Sequence, residues 1–356
     1  MILTRLRLKD FRSYESLDIS FDQGLTLVLG DNAVGKTNLV EAIHYLSLAR
    51  SWRSKEDGTL IRDGTSLAFI NAEVREGPLL RRIEIEIGKG SKKVLLNGKP
   101  VKKLSELSKL TNVICFSPSD VPLFAGSPGE RRSFLDVSLS KRSLDYFGLI
   151  SRYNRLLKER NAALKSRTPD RVLLASLSEQ MVAVSEPIVR YRALYVASLN
   201  GVLPDLLSRL RGEKTACEIL YRPFARPDDD FKRRASKAFQ DALENDLAHG
   251  STSVGPHRED IAFRMNGKDI ATRGSQGESR MAVLALKLAP SLLVEIEEKK
   301  PICVLDDVTS ELDPENVGRL IEALRGFGQV FVTATNLNIE DASIVDVSLN
   351  HATRRN

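Results

Sequence analysis

The chain has few cysteines and no long hydrophobic run, and both shortages exclude classes of protein. Three cysteines occur among 356 residues, at positions 115, 217 and 303, without a Cys-x-x-Cys pair. This odd, widely spaced set argues against a disulfide framework or a zinc site and predicts reduced, mostly buried thiols. No stretch approaches the ~18 uninterrupted apolar residues of a spanning helix, because Lys287 and Pro290 break the best candidate. We therefore expect a cytoplasmic protein with no membrane partner.

Positive charge is in slight excess, and the excess is confined to one region. The net charge is +6 and the sequence pI is about 9.1. Residues 141–245 carry 20 Lys and Arg against 13 Asp and Glu, so this region accounts for the whole excess. A polyanionic partner is permitted, but a solvated helix face has the same composition.

The hydrophobic patterns divide the chain into three regions. Residues 1–125 alternate in polarity, as in "RRIEIEIG", which predicts strands, and Asn97-Gly98 suits a tight hairpin turn. Residues 126–249 have apolar positions three and four apart, the period of long amphipathic helices, and almost no strand signal. Alternation returns in 250–356, with a second Asn-Gly pair at Asn266. The prediction is an α/β module, written in two pieces, with an inserted helical lobe.

A phosphate-binding loop follows the apolar strand "LTLVLG" and precedes a helix. The loop has the pattern Gly-x-x-x-x-Gly-Lys-Thr, in which backbone N–H groups and the helix N-terminus surround anionic phosphates. Lys36 would contact the β- and γ-phosphates, and the Thr37 hydroxyl would ligate Mg²⁺. The predicted nucleotide-binding residues here are Gly30, Asp31, Asn32, Ala33, Val34, Gly35, Lys36, Thr37 and Asn38.

Two adjacent carboxylates end the apolar strand "PICVLDD". We expect Asp306 to bind Mg²⁺ opposite Thr37, and Asp307 to polarise the attacking water as a general base. We count Asp306, Asp307 and Lys36 as the catalytic set. The alternative is an acidic turn that caps the helix beginning near Pro314, a role that suits Asp313.

The segment "RGSQGESR" has two compatible interpretations. Ser275-x-x-Glu278 is a capping box, which accounts for both residues without any ligand. Alternatively, Ser275 and the Gly277 amide, at a helix N-terminus, bind a second phosphate.

Taken in order along the chain, these motifs resemble the SMC-like branch of the ABC ATPases and, within it, the RecF family of bacterial recombination mediators. The resemblance runs nearly end to end. Two stretches, "GSPGERRSFLD" and Gly255-Pro256-His257-Arg258, are specific to that family. The other stretches that carry it are "LRLKDFRSY" (6–14), "GDNAVGKTNLVEAIHYLSLARSWR" (30–53), "RGSQGESRMAVLALKLA" (273–289) and "VLDDVTSELD" (304–313).

The resemblance implies an ABC-type P-loop ATPase head with an inserted helical lobe that is a short SMC-like arm. Residues 1–125 and 250–356 would form the ATPase lobe, and 126–249 the helical lobe. It implies ATP-dependent homodimerisation on double-stranded, gapped or junction DNA without sequence preference, with Ser275 reaching the partner's γ-phosphate. Arg12 would reach the α-phosphate; the alternative is that it only pairs with an acid. It also implies that the protein acts with RecR as a partner, and indirectly with RecO and RecA, in repair, replication and the SOS response.

Some positions depart from the ABC pattern. "FSPSD" (116–120) and "VTATN" (332–336) lack the usual Gln and His, so Asp120 and either Thr335 or Asn336 are the candidates to replace them. Asp307 replaces a longer Glu, which predicts slow, switch-like hydrolysis.

Two other functions stay open, an SMC-like subunit that drives a nuclease and a P-loop small-molecule kinase. Several residues also have two interpretations. His257 would contact nucleotide or DNA, or be a loop histidine satisfied by nearby backbone. Arg131 and Arg132 would belong to a phosphate-contacting surface, or to the charged first turn of a helix. Trp52 packs.

Overall fold

The computed structural model describes residues 1–101, 104, 107–310, 312–349 and 351–355. By its internal contacts the chain forms two compact units. Unit 1 contains Met1–Val121, Leu206–Lys214 and Leu284–Asn356, and unit 2 contains Pro122–Asp205 and Thr215–Val283. Residues 250–283, which the sequence analysis assigns to the ATPase lobe, therefore cluster with unit 2. The functional boundaries of the two lobes stay a prediction.

The described part of the chain contains fifteen strands and ten α-helices. The strands are β1 Ile2–Phe11, β2 Tyr14–Ser20, β3 Gly24–Leu29, β4 Leu67–Glu76, β5 Leu79–Gly88, β6 Ser91–Leu96, β7 Lys99–Pro100, β8 Val113–Phe116, β9 Cys217–Arg222, β10 Asp260–Met265, β11 Lys268–Asp269, β12 Ile302–Leu305, β13 Gln329–Ala334, β14 Ser343–Ser348 and β15 His351–Arg355. The helices are α1 Lys36–Leu48, α2 Leu107–Leu110, α3 Pro128–Arg142, α4 Leu144–Leu164, α5 Arg171–Arg211, α6 Phe231–Asp241, α7 Leu243–His249, α8 Ile270–Arg273, α9 Gln276–Leu292 and α10 Pro314–Leu324.

Unit 1 contains two six-stranded sheets. One is antiparallel, in the order β2-β1-β4-β5-β6-β7, and the other has the order β15-β14-β3-β13-β12-β8 with only β15 antiparallel. Strands β12 and β13 are buried at every position, as their continuous apolar runs predict for strands covered on both faces. Helix α1 packs against β8, β12 and β13 and shares one hydrophobic core with both sheets.

The two Asn-Gly pairs form the predicted tight turns. Asn97 and Gly98 join β6 to β7 with φ of 49° and 77°, and Asn266 and Gly267 join β10 to β11 with φ of 49° and 76°. Positive φ at both central residues is the turn geometry that suits a two-residue hairpin.

Unit 2 contains most of the long helices and one small sheet. The sheet has the order β11-β10-β9, and β9 is a strand that the sequence analysis missed. Within the described residues, α5 alone is long and apolar enough to cross a membrane, with 44% of the relevant window buried. That test is weak evidence, because core helices of soluble proteins also pass it. The sequence analysis looked for an uninterrupted run and so did not single out α5.

Candidate nucleotide site

The phosphate loop joins the end of β3 to the start of α1, and two of its positions require glycine. Gly35 has φ of 117° and lies immediately before Lys36, the first residue of α1. A Cβ at Gly30, where φ is 151°, would lie 2.1 Å from the backbone oxygen of Val347. Side chains are therefore kept off the loop at both ends, which leaves its N–H groups available to an anion.

Lys36 is held over the loop by backbone oxygen atoms. Its Nζ donates to the carbonyl oxygens of Gly30 at 2.6 Å and Asp31 at 2.7 Å. Burial lowers the pKa of Lys36, although Asp307 and Asp306 oppose the shift. The ammonium group is thus fixed beside the loop, and its contact with a phosphate stays a prediction.

Thr37 and Asp306 form a pair suited to Mg²⁺. The Thr37 hydroxyl donates to Asp306 Oδ1 at 3.0 Å, and the Thr333 hydroxyl donates to the same oxygen at 2.9 Å. Asp306 is 5% exposed, and burial raises its pKa against the effect of these two hydroxyl groups. One hydroxyl and one carboxylate fit Mg²⁺, which takes few protein ligands and keeps water and phosphate oxygens. Consistent with so few ligands, the described residues contain no cluster of three or more His, Cys, Asp or Glu placed to hold a metal.

Asp307 lies one residue further, in a constrained backbone conformation. Its φ is 51°, in the left-handed region, and its N–H donates to Thr333 Oγ1 at 2.8 Å. The Thr333 hydroxyl group therefore contacts both acids, because it donates to the Asp306 carboxylate and accepts from the Asp307 N–H. Asp307 is exposed and lines a cavity of about 310 Å³ together with Asn32, Ala33, Gly35, Lys36, Thr37, Asn38, Arg53 and Thr333. Asp307 therefore lines the same cavity as Lys36 and Thr37.

Arg53 is a cavity residue that the sequence analysis missed. Its guanidinium donates to Asn38 Oδ1 at 2.8 Å and to Glu41 Oε2 at 3.1 Å, and its charge opposes the rise in the pKa of Asp306. The side chain is 41% exposed, so a cation faces the cavity. The only sequence signal for Arg53 was that it ends the stretch 30–53, which carries part of the family resemblance.

Arg12 makes a buried ion pair. It donates to both carboxylate oxygens of Glu41, at 2.8 and 3.0 Å, and to the backbone oxygen of Thr59 at 2.8 Å. Glu41 is fully buried and Arg12 is 17% exposed by side chain. The pairing with an acid is thus present, and contact with an α-phosphate stays a prediction.

Ser275 and Gly277 belong to unit 2, at the start of α9. The capping box is present, because the Glu278 N–H donates to Ser275 Oγ at 3.1 Å and the Ser275 N–H donates to Glu278 Oε2 at 2.9 Å. Ser275 and Gly277 are both exposed. The cap therefore presents its residues to solvent at a helix N-terminus, while the phosphate-binding role stays a prediction.

The candidate switch residues occupy different surroundings. Asp120 accepts from Lys287 Nζ at 2.7 Å and from the Ser117 N–H at 2.9 Å, so its carboxylate already has a structural role. Thr335 and Asn336 are exposed and line a cavity of about 410 Å³ that Gly30 also borders. The loop after Asp307 includes Glu311, which lies outside the described residues.

Other singled-out residues serve their own unit. Arg131 is buried and pairs with both carboxylate oxygens of Asp260, at 2.8 and 2.9 Å. His257 lies between the Tyr153 hydroxyl, 2.7 Å from Nδ1, and the Thr252 carbonyl, 3.0 Å from Nε2. Trp52 packs edge-on against the His44 ring. Arg131 and His257 are therefore held by protein groups.

The fold and this loop define the class, an SMC-like ABC ATPase head. The family model described as the RecF/RecN/SMC N-terminal domain matches residues 2–352. The head domain of Smc from Pyrococcus furiosus has the same fold, with a TM-score of 0.61 at 17% identity over 99% of this chain and 95% of that chain.

More specific matches identify the branch. The DNA replication and repair protein RecF of Lactobacillus johnsonii is 36% identical over 95% of this chain and 93% of that protein, and RecF of Geobacillus thermodenitrificans is 37% identical over 98% of each. A solved structure of the recombination mediator RecF with ATP, in the RecFOR pathway, has a TM-score of 0.89 at 29% identity and covers 99% of this chain and 97% of that chain. The chain belongs to the RecF family of DNA replication and repair proteins.

Proposed function

We propose that this protein is an ATP-gated dimeric clamp on DNA in recombinational repair at single-strand gaps. ATP binding pairs two chains on duplex DNA near single-strand junctions, and slow, DNA-dependent hydrolysis ends the bound state. With RecR and RecO the clamp promotes loading of RecA, which links it to replication and SOS induction. The observation that carries this proposal is the arrangement of Thr37, Asp306 and Asp307 around the hydroxyl group of Thr333.

The described contacts support a separate task for each residue in this proposal. Lys36 and the loop N–H groups bind phosphate oxygens, and Thr37 and Asp306 hold Mg²⁺, which supplies charge neutralisation on the triphosphate. Asp307 takes the proton from the attacking water as a general base. Its short carboxylate, fixed through the backbone by Thr333, supports slow turnover and a switch more than a motor. Arg53 contributes positive charge to the cavity that Asp307 lines.

The pairing of two chains depends on Ser275 and Gly277. We assign Ser275 to the γ-phosphate held by the partner chain, because its capping bonds fix a hydroxyl group at an exposed helix N-terminus. In that arrangement a single chain holds half of each working pocket.

Contact with DNA is sequence-independent in this proposal. The chain has no recognition-helix signature, so Lys and Arg contact phosphates and binding weakens steeply with salt. We infer that the protein acts in the cytoplasm, where the chromosome lies and where its three free thiols stay reduced.

Sedimentation velocity with and without ATP, Mg²⁺ and duplex DNA tests the proposal. We expect a monomer without nucleotide and a dimer with ATP, whereas Lys36→Ala stays monomeric in both conditions. A P-loop kinase would stay monomeric with ATP, and that result for the wild-type chain would refute the clamp.

A further inference from the structure

The two family-specific motifs each place one arginine outside the buried ion pairs of unit 2. Arg132, from "GSPGERR", donates to the backbone oxygen of Glu259 at 2.7 Å. Arg258, from the Gly-Pro-His-Arg segment, is exposed and donates to the backbone oxygen of Thr252 at 3.1 and 3.2 Å. Carbonyl oxygens thus orient both guanidinium groups without cancelling their charge.

Neither arginine has a carboxylate within 4.0 Å among the residues that the structure describes. Burial lowers the pKa of Arg132, the charges of Arg192 and Arg258 add to this effect, and Asp260 and Asp136 oppose it. The two guanidinium groups of Arg132 and Arg258 therefore interact through space, and an anionic ligand would be attracted to both.

An open groove runs along α4 in the same unit. It has a volume of about 460 Å³ and is lined by Asn154, Leu157, Lys158, Asn161, Ala162 and Lys165. Four of these six side chains are lysines or amides spaced three and four residues apart, so they form one stripe on the helix. Among the described residues, no carboxylate lines the groove. Lys158 and Lys165 are seven residues apart, which is about 10 Å along the helix axis.

Thr252 connects the groove to Arg258. Asn161 Oδ1 accepts from the Thr252 N–H at 2.8 Å and from its hydroxyl group at 2.7 Å, while the Thr252 carbonyl accepts from Arg258. A single residue, Thr252, therefore links Arg258 to Asn161, which lies in the middle of the stripe. Several exposed arginines of unit 2 differ, because they pair with acids, as in Arg155–Glu159, Arg171–Glu244, Arg190–Glu186 and Arg233–Asp230.

We propose that the stripe of Lys158, Asn161 and Lys165, continued by Arg258 and Arg132, is a track for the phosphate backbone of DNA. This inference rests on the proposed function and assigns the DNA contact to one face of unit 2. Cations separated by amide donors match a polyanion, and the lack of an aromatic platform along the stripe excludes base stacking as the means of binding.

The test compares two double variants with the same loss of charge. Lys158→Gln with Lys165→Gln alters the stripe, and Lys232→Gln with Lys237→Gln alters exposed lysines on α6 of the same unit. Binding of a labelled duplex is measured by anisotropy with ATP over a series of salt concentrations. We expect the stripe variant to bind about tenfold more weakly and its log Kd against log salt slope to fall by about 2, while the control matches wild type.

The outcomes separate this inference from the proposed function. Equal weakening by both variants, or no change in the stripe variant, refutes the track but leaves the clamp intact. If the wild-type chain dimerises with ATP and binds no DNA, the clamp and the track both fail. Selective loss of binding to an acidic protein, with DNA binding unchanged, also refutes the track.

Arg258→Gln provides an independent check from the loop. It should weaken DNA binding about threefold and reduce the salt slope by about 1, with unchanged ATP-driven dimerisation. Thermal unfolding of the same variant shows whether the loop is intact. A normal unfolding temperature together with normal DNA binding contradicts a role for Arg258 in the track.

Discussion

The phosphate loop of unit 1 and the buried ion pairs of unit 2 hold their charged groups by different means. In the loop, neighbouring residues act through the backbone, as Lys36 does with the carbonyl oxygens of Gly30 and Asp31. In unit 2, side chains far apart in the sequence meet directly. Arg160 donates to Asp246 at 2.7 Å, and both side chains are fully buried.

The largest of these buried networks surrounds Arg192. Its guanidinium donates to Glu259 at 2.7 Å, to both oxygens of Asp136 at 2.8 and 3.0 Å, and to the Pro256 carbonyl at 2.8 Å. Burial raises the pKa of Glu259, and Arg192 and the Tyr221 hydroxyl oppose the rise. Each partner depends on the others for compensation of its charge. Substitutions in these buried ion pairs should therefore change stability, and substitutions around the loop should change chemistry.

The largest predicted effect is on stability, from Arg192→Met. Removing one partner of a buried network leaves Glu259 uncompensated and should lower the free energy of unfolding by about 3–5 kcal/mol. Arg190→Met is the control, because Arg190 is 46% exposed and its pair with Glu186 contributes less than about 1 kcal/mol. Urea unfolding followed by circular dichroism measures both. Similar midpoints for the two variants would contradict the comparison between the units.

The next largest effect is on catalysis, from Asp307→Asn. Asn tolerates the left-handed conformation that Asp307 adopts, so the backbone should be unchanged. Loss of the general base should slow hydrolysis by at least about 100-fold and leave an ATP-bound dimer in place.

Asp313→Asn is the matched control, since Asp313 caps α10 by accepting from the Asn316 N–H at 2.9 Å and Asn caps equally well. Single-turnover hydrolysis and sedimentation give the two readouts. Wild-type turnover in Asp307→Asn would show that another group activates the water.

The smallest predicted effect is a pH dependence from His257. Burial lowers the pKa of His257 to about 4, and Arg258 and Arg132 add to this effect, while the Thr252 carbonyl and Asp246 oppose it. The unfolded chain binds this proton near pH 6.5, before the folded chain does, so stability is complete above pH 6.5 and falls between about pH 6.5 and 4. The loss should be about 2 kcal/mol, allowing for the partial exposure of the ring.

His257→Gln should remove this part of the pH dependence, and His249→Gln, at an exposed position, should keep it. Unfolding free energies at pH 7, 6 and 5 provide the comparison. Parallel curves for wild type and His257→Gln would show that the imidazole does not titrate differently in the two states.

Local patterns were sufficient for the parts of the molecule that depend on neighbours in sequence. The strand, loop and helix around Lys36, the two Asn-Gly turns and the Ser275 capping box were all predicted and are present. Each depends on backbone conformation or on side chains within four residues, so a short stretch contains the whole signal.

The remaining features depend on contacts between distant residues. Strand β9 pairs with β10 across about forty residues, and its short sequence, CEILYR, has too little alternation to predict a strand. Arg12 and Arg53 both meet Glu41, and Arg192 meets Asp136 and Glu259. A charged residue has the same sequence signal whether it is solvated or buried against a partner, so the partners in these pairs were not predicted.

The central claim is that each working pocket combines the phosphate loop of one chain with Ser275 of another, and complementation tests it most directly. Asp307→Asn and Ser275→Asp chains are mixed before ATP is added. Asp keeps the helix cap and puts negative charge against the partner's phosphate. Each variant alone should hydrolyse ATP poorly, and the mixture should recover about a quarter of wild-type activity, because half of the dimers then contain one intact pocket. Wild-type activity of Ser275→Asp alone, or no recovery in the mixture, would contradict the claim.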